Sequence, residues 1–284
     1  PDCDIVFFRT RRDVEEKVFA NSGFRTELLD LSPPSGGAGA MVKYSLQSLR
    51  AIPMIRKALT RSYDAAIGLG GYASLPGIVA ARHVGLPVVL LEQNQVPGKV
   101  NRLAAPFVDL VTCPSPEVVD LFRGRREVTG NPVRGTVVRA AGRRRRWFAA
   151  GAFSTRKRKV FVVGGSQGAH QINQLMKASL PQLCGLPVEV VHQSGDADRE
   201  ELQGAYRDAG IAAEVVAFET DMPTRYRWAD LAICRAGALT VAELALSGLP
   251  ALLIPYPFAT DNHQAANAGE FEREGAAIGL HELP

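Results

Sequence analysis

Short apolar runs recur along the chain, and longer stretches with helical spacing of apolar residues lie between most of them. The runs predict strands at Asp4–Phe8, Ala65–Ile67, Pro87–Leu91, Leu110–Cys113, Lys159–Val163, Val188–His192, Glu214–Ala217, Asp230–Cys234 and Ala251–Ile254. A short strand-like AAIGL follows near the end. Strand and helix in alternation predict parallel sheets covered by helices on both faces. Sheets of that kind bind ligands at the carboxyl ends of their strands.

The pattern repeats internally. AAIGLGGYASLPGIVAARHVGLPVVLLEQN at residues 65–94 and LAICRAGALTVAELALSGLPALLIPYPF at residues 231–258 share one plan. Each has a strand, a Gly-bearing loop, a small-residue helix, a Gly-Leu-Pro turn and a second apolar strand. Two similar α/β domains are expected, 1–140 and 155–284, joined within 135–158. The symmetry also exposes a gap. The second half opens with KVFVV, the loop GGSQG and a helix, and only then reaches PVEVVHQ. The first half opens directly with PDCDIVFF, the counterpart of that later strand. One strand, one glycine loop and one helix, roughly 27 residues by the repeat, are therefore expected upstream. The sequence reads as a fragment lacking segments at both ends.

Composition narrows the class. The chain has 284 residues, which suggests two domains at about 150 residues each. It is 46% hydrophobic and 22% charged, the balance of a folded protein rather than a disordered one. Its net charge of +4 is too mild for an electrostatic nucleic-acid binder. No apolar run reaches the ~18 residues of a membrane-spanning helix. Cys3, Cys113, Cys184 and Cys234 lack metal-like spacing, which argues against zinc and predicts reduced, mostly buried thiols. The Arg143–Arg146 run and the Arg156–Lys159 cluster read as a solvated surface segment or as a contact for anionic lipid.

Three Gly-bearing loops follow strands: Gly164–Gly168 (GGSQG), Gly68–Tyr72 (GLGGY) and Arg235–Thr240 (RAGALT). Glycine lets the backbone approach a phosphate, and the following helix offers unpaired N–H groups and a positive dipole end. Any one of these could simply tighten a strand–helix turn; three together suggest a ligand with phosphates. GGSQG lacks the Lys-Ser/Thr ending of an ATP-type loop and the strict G-x-G-x-x-G of a dinucleotide binder. Glu243 is expected in the first turn after the third loop, either accepting hydrogen bonds from ribose hydroxyls or complementing the helix dipole. Glu92-Gln93-Asn94 ends a buried strand, and Asn131-Pro132-Val133-Arg134 is a turn delivering an arginine suited to a pyrophosphate. Asp196-Ala197-Asp198 matches the D-x-D of metal-dependent sugar transferases, but its place before a helix favours capping.

The segments GLGGYASLPG, LPVVLLEQN, TGNPVRG, VVGGSQGAHQIN, HQSG, ADLAICRAGALTVAEL and GLPALLIPYPFATDNHQAAN span about residues 64–270. In order and spacing they resemble the MurG family, the bacterial N-acetylglucosaminyltransferases that convert lipid I to lipid II in peptidoglycan synthesis. The resemblance implies the GT-B fold, two Rossmann-like parallel-sheet domains facing a cleft. It makes the carboxyl-half domain the seat of UDP-N-acetylglucosamine. Ser166 then resembles a diphosphate contact. Ala238, Leu239, Thr240, Val241, Ala242 and Glu243 resemble the nucleotide loop and helix start, with Glu243 on the ribose. Gln264 resembles the reader of the sugar hydroxyls. Asn94 and Arg134 resemble donor contacts reaching from the other domain, and Glu219 holds the position lining the uracil pocket, commonly apolar in the family. Gly70, Gly71 and Tyr72 resemble the acceptor-diphosphate loop. The family loop whose histidine is proposed as general base has no counterpart here, so no catalytic residue is assigned.

The implied reaction is inverting transfer to the muramyl sugar of an undecaprenyl-diphosphate-linked acceptor, with no cofactor and no essential protein-bound metal. It implies peripheral attachment to an anionic membrane surface at the cytoplasmic face. Met41, Val42, Tyr44, Leu46, Leu49 and Ile52, interleaved with Lys43, Arg50, Arg56, Lys57 and Arg61, read as that contact or as a core helix with a basic outer face. Two other readings stand beside it: another GT-B sugar-nucleotide enzyme, such as a glycolipid synthase or an epimerase, and a non-catalytic module that binds UDP-sugar.

Overall fold

The computed structural model describes residues 3–12, 15–16, 19–20, 22–34, 37–59, 63–141 and 157–280, without the side chains of 165–169 and 260. Arg61, Arg143–Arg146, Arg156 and His281 therefore fall outside the described residues. Twelve strands form among them: β1 (Val6–Arg9), β2 (Arg25–Leu28), β3 (Ala66–Gly68), β4 (Val88–Leu91), β5 (Leu110–Cys113), β6 (Arg126–Val128), β7 (Arg158–Val163), β8 (Val188–Gln193), β9 (Ala212–Val216), β10 (Leu231–Cys234), β11 (Ala251–Leu253) and β12 (Ala277–Gly279). Every strand pair is parallel. This is the α/β class that the alternation predicts.

The chain divides into two compact units, Pro1–Gln93 with Pro97–Gly130, and Asn94–Val96 with Asn131–Pro284. The division departs from the boundaries expected from sequence. Asn131–Ala140 goes with the second unit because Val133 and Val137 pack into its core.

The second unit carries one six-stranded sheet in the order β12-β11-β10-β7-β8-β9. Alternate residues of a strand face opposite sides, and its central strand uses both. Phe161 and Val163 join one core with Tyr226, Leu244 and Ala268, which come from the helices Met222–Trp228, Ala238–Ser247 and His263–Arg273. Val160 and Val162 face the other core with Ile172, Met176, Leu202 and Tyr206, from the helices Gly165–Leu183 and Arg199–Asp208. Tyr226 and the Ala238–Ser247 helix thus share one face of the sheet.

The first unit holds two separate sheets, β1-β2 and β3-β4-β5-β6. Helix Ala38–Leu59 and helix Ser74–His83 cover them, with Leu29, Ala51, Ile55 and Ala80 in a shared core. The internal repeat is physical. The β3–helix–β4 unit and the β10–helix–β11 unit both end their helix at a glycine, Gly85 or Gly248, with φ +77 and +57. In each, the following leucine N–H returns to a carbonyl five residues back, Ala81 or Leu244, a closure that needs the left-handed conformation glycine adopts without penalty. The two units differ at the strand before the repeat. β10 pairs with both β11 and β7, whereas β3 pairs only with β4 among the described residues.

β2 and β6, RTEL and REV, escape the sequence pattern because each lies at a sheet edge with most residues exposed. Of the cysteines, Cys113 and Cys234 are buried, but Cys3 and Cys184 are exposed, so the expectation of mostly buried thiols fails for two of four.

Candidate functional site

The third glycine loop is shorter than its motif. Arg235–Gly237 leads from β10, and the helix already begins at Ala238. Ala238, Leu239 and Thr240 form its first turn, where main-chain N–H groups lack intrahelical acceptors and the dipole favours an anion. Glu243 lies in the second turn, not the first, so the dipole-complementing role proposed from sequence does not fit its position. Val241 and Ala242 lie between the two.

The Glu243 carboxylate is 5% exposed, in a helix whose neighbouring Leu244 is core. Two elements meet it. Arg134, in the turn before the Gly135–Ala140 helix, grips it with two donors, Nε to Oε1 at 2.6 Å and Nη2 to Oε2 at 2.8 Å. The Tyr226 hydroxyl donates to Oε2 at 2.9 Å from the Met222–Trp228 helix. The Glu243 bond holds the Arg134 guanidinium above its usual range. Burial, then the Glu243 charge, push the Tyr226 phenol up, so it stays a donor. Asn94 and Arg134, expected to reach in from the other domain, both belong by their contacts to the second unit.

Around this centre the remaining positions divide. Gln264, at the start of the His263–Arg273 helix, accepts from the Tyr256 N–H at 3.0 Å through its carbonyl oxygen. Asn94 accepts from Asn267 Nδ2 at 3.3 Å, and Asn267 also accepts from the Gln95 N–H at 2.9 Å and donates to the Ala236 carbonyl at 3.1 Å. Asn267 therefore ties Asn94 and Gln95 to the start of the glycine loop. The sequence reading missed both it and Tyr226. A buried tyrosine needs a partner for its hydroxyl, and that was the available signal.

Ser166 sits in the first turn of the Gly165–Leu183 helix rather than in a loop before it; its side chain lies outside the described residues. Glu219 is buried and committed elsewhere. Its carboxylate pairs with Arg225 and accepts from the Asp221 N–H at 2.8 Å, while its own N–H goes to Gln193 Oε1 at 3.1 Å. Burial pushes its carboxyl up, but the Arg225 and main-chain bonds outweigh that and hold it below the usual range. Arg235 is a strut, bonded to the Ile254 and Pro255 carbonyls and to Gln171. Glu92, singled out for its polarity, organises its own loop by accepting from the Gln93 and Gly98 N–H groups and from Asn101.

Asp198 is the residue before the Arg199–Asp208 helix but makes no capping bond. It instead accepts from Asn173 Nδ2 at 2.7 Å and lies 2.8 Å from His170 Nδ1, a correction to the capping expectation. Among the described residues no cluster of three or more His, Cys, Asp or Glu is placed to hold a metal ion.

In the first unit the GLGGY loop is pinned at three points. Ser74 donates to the Gly70 carbonyl at 2.6 Å, Tyr44 to the Tyr72 carbonyl at 2.6 Å, and the Tyr72 hydroxyl to Thr10 Oγ1 at 3.3 Å. Gly70 and Gly71 have φ of +83 and +74, and a Cβ on Gly70 would lie 3.3 Å from Asn101.

Known proteins resemble this chain over nearly all its length. A model of the glycosyltransferase family 28 N-terminal domain matches residues 2–113, and one of the family 28 C-terminal domain matches residues 159–283. A UDP-N-acetylglucosamine--N-acetylmuramyl-(pentapeptide) pyrophosphoryl-undecaprenol N-acetylglucosamine transferase from Nitratidesulfovibrio vulgaris is 44% identical over 246 residues. That match covers 85% of this chain and 63% of the relative, less than two thirds of its length. The protein of the same name from Pelobacter propionicus is 37% identical, covering 99% of this chain and 79% of its own. The crystal structure of Acinetobacter baumannii MurG aligns with a TM-score of 0.71 at 31% identity, over 98% of this chain and 77% of that one.

Proposed function

The chain belongs to the MurG family within glycosyltransferase family 28, and we propose that it is the part of such an enzyme that binds UDP-N-acetylglucosamine and transfers its sugar to lipid I. The observation that carries this reading is the buried Glu243 carboxylate, held by three hydrogen bonds from Arg134 and Tyr226 one turn inside a helix whose N-terminus follows a glycine loop. The ribose diol of UDP is the natural partner for such a carboxylate, since both its hydroxyls can donate to it. The N-termini of the Ala238–Ser247 and Gly165–Leu183 helices suit the diphosphate, with Ser166 and Arg134 beside it. Thr240 adds a hydroxyl there. Gln264 and Asn94 take the sugar hydroxyls, and the Glu219 carbonyl, its N–H being committed to Gln193, accepts the uracil N3–H.

The reaction this site serves is an inverting displacement. The acceptor hydroxyl attacks the anomeric carbon, its proton passes to a base, and UDP departs with both electrons of the broken bond. The unit described contributes stabilisation of the departing diphosphate by helix N-termini and a guanidinium. The GLGGY loop of the first unit, Gly70 to Tyr72, takes the acceptor diphosphate.

The acceptor is membrane-bound, and the Ala38–Leu59 helix offers a surface for it. No helix among the described residues is long and apolar enough to cross a membrane. Met41, Val42, Leu46 and Leu49 are each more than half exposed, while Tyr44, Ala51 and Ile55 on the opposite side are buried. Lys43, Arg50, Arg56 and Lys57 stand exposed beside that outer stripe. This arrangement suits peripheral contact with anionic lipid at the cytoplasmic face.

The test is calorimetric titration of UDP into the wild-type chain and into Glu243→Ala and Glu243→Gln. Loss of charged hydrogen bonds, about 1.5–3 kcal/mol each, should weaken UDP by roughly one to two orders of magnitude in Ala and less in Gln. Unchanged affinity in Ala would remove Glu243 from the donor site. Sugar transfer by the protein lengthened to its relatives' span, assayed on lipid I against diacylglycerol, separates this activity from glycolipid synthesis.

A further inference from the structure

We propose that Arg134 is a displaceable placeholder on the Glu243 carboxylate, exchanged for the ribose diol when nucleotide binds, and that Tyr226 is the positioning residue that keeps the carboxylate oriented through the exchange. The inference rests on the reading of Glu243 as the ribose contact.

An ionised carboxylate offers about four acceptor positions. Two are taken by Arg134 and one by Tyr226. One position remains, and a diol needs two. One existing bond must therefore be surrendered, and exposure decides which. Tyr226 is 2% exposed and stands edge-on to Phe161 in the core of the sheet face. Its hydroxyl is buried, so giving up the bond to Glu243 is not offset by a bond to water. The Arg134 side chain is 54% exposed and springs from a turn. Water, or another anion, can take its donors at little cost. A ligand arriving from solvent also reaches the Arg134 side of the carboxylate first.

The exchange couples two parts of the nucleotide. A diphosphate supplies the released guanidinium with a new anion of matching geometry. A nucleoside without phosphates must displace Arg134 and offers nothing in return. Arg134 therefore opposes ribose binding alone and favours ribose with diphosphate, which discriminates against uridine and in favour of UDP.

The experiment compares UDP, 2′-deoxy-UDP and uridine against the wild-type chain, Arg134→Ala, Arg134→Lys and Tyr226→Phe, by calorimetry and, for uridine, ligand-observed NMR. The wild type should bind UDP about 10-fold tighter than 2′-deoxy-UDP, the worth of one charged hydrogen bond. Tyr226→Phe should shrink that ratio to about threefold or less, because the carboxylate loses its fixed orientation. Arg134→Ala should weaken UDP by roughly 10-fold or more yet bind uridine severalfold tighter. Arg134→Lys, which keeps the charge but loses the two-pronged grip, should retain more UDP affinity and still gain for uridine. Uridine affinity that falls or stays constant in both Arg134 variants would overturn the placeholder role. A Tyr226→Phe protein that melts lower while keeping the wild-type ratio would overturn the positioning role. A wild type that fails to bind UDP, or binds it independently of Glu243→Ala, defeats the donor-site reading itself and is thereby told apart.

Discussion

At the scale of single residues, burial decides what each polar group can do. His192 shows this away from the nucleotide site. It is fully buried, with Nδ1 2.9 Å from the Tyr206 hydroxyl and Nε2 2.9 Å from Asn173 Oδ1. Asn173 spends its amide nitrogen on the Ser194 carbonyl and Asp198, so its oxygen must accept. The neutral ring therefore carries its proton on Nε2 and receives the Tyr206 hydroxyl at Nδ1. Burial lowers its pKa from 6.5 to about 4, with the Asp198 charge opposing. Between those values the unfolded chain binds a proton that the folded chain refuses, so stability falls as pH drops below about 6.5 and levels off near 4. The loss is roughly 3 kcal/mol in all, about 2 kcal/mol of it by pH 5. Urea unfolding at pH 7.5 and pH 5 measures it. The wild type should lose about 2 kcal/mol more between those pH values than His192→Gln. Equal losses would mean that His192 takes up its proton as readily folded as unfolded.

At the scale of elements, the Ala38–Leu59 helix faces two ways, and its outer face makes a prediction of its own. Val42, Leu46 and Leu49 follow i, i+4, i+7 on the side opposite Tyr44, Ala51 and Ile55. Exposed apolar side chains ringed by cations contribute to lipid binding by both burial and charge, and the two respond differently to salt. Replacing Arg50, Arg56 and Lys57 with Gln removes about 1 kcal/mol per cation, roughly two orders of magnitude in partitioning to anionic vesicles at low salt and much less at high salt. Replacing Leu46 and Leu49 with Ser should weaken binding at either salt concentration. Vesicle sedimentation that shows neither loss would leave the stripe without a lipid role. This helix also marks what could be read from sequence. Its apolar and basic residues were visible, but which of them faced outward was not. Tyr44 and Ile52 lie among Val42, Leu46 and Leu49 in sequence, and only packing separates them, Tyr44 against Tyr72 and Ile52 against the core that holds Leu31 and Ala80. The buried parallel strands were legible because both their faces are apolar. β2 and β6 were not, because an exposed edge strand imposes no pattern. At the site the glycine loops marked the helix N-termini. The partners of Glu243 were hidden, since Arg134 lies 109 residues away and only the fold joins them.

At the scale of the whole molecule, the two units differ in continuity, and that difference has a thermal signature. In the second unit β7 lies between β10 and β8, so the sheet is unbroken over six strands. In the first unit, the strands matching β10 and β8 in the repeat are β3 and β1. They belong to separate sheets, with no strand among the described residues between them. A strand corresponding to β7 is what would join them, as the repeat in the sequence already implies. An interrupted sheet forgoes ladder hydrogen bonds and the two-faced burial of a central strand. The first unit should therefore unfold at the lower temperature. The residues assigned to UDP within this chain's donor site all lie in the second unit by its contacts. UDP at 100 times its Kd should stabilise that unit by about 2.7 kcal/mol and raise its melting temperature by roughly 5–10 °C. The lower transition, belonging to the first unit, should not move. Scanning calorimetry with and without UDP reads both at once. An upper transition that ignores UDP while the lower one shifts would place the nucleotide in the wrong half of the chain. A single transition moving as a whole would show the units unfolding together despite the broken sheet.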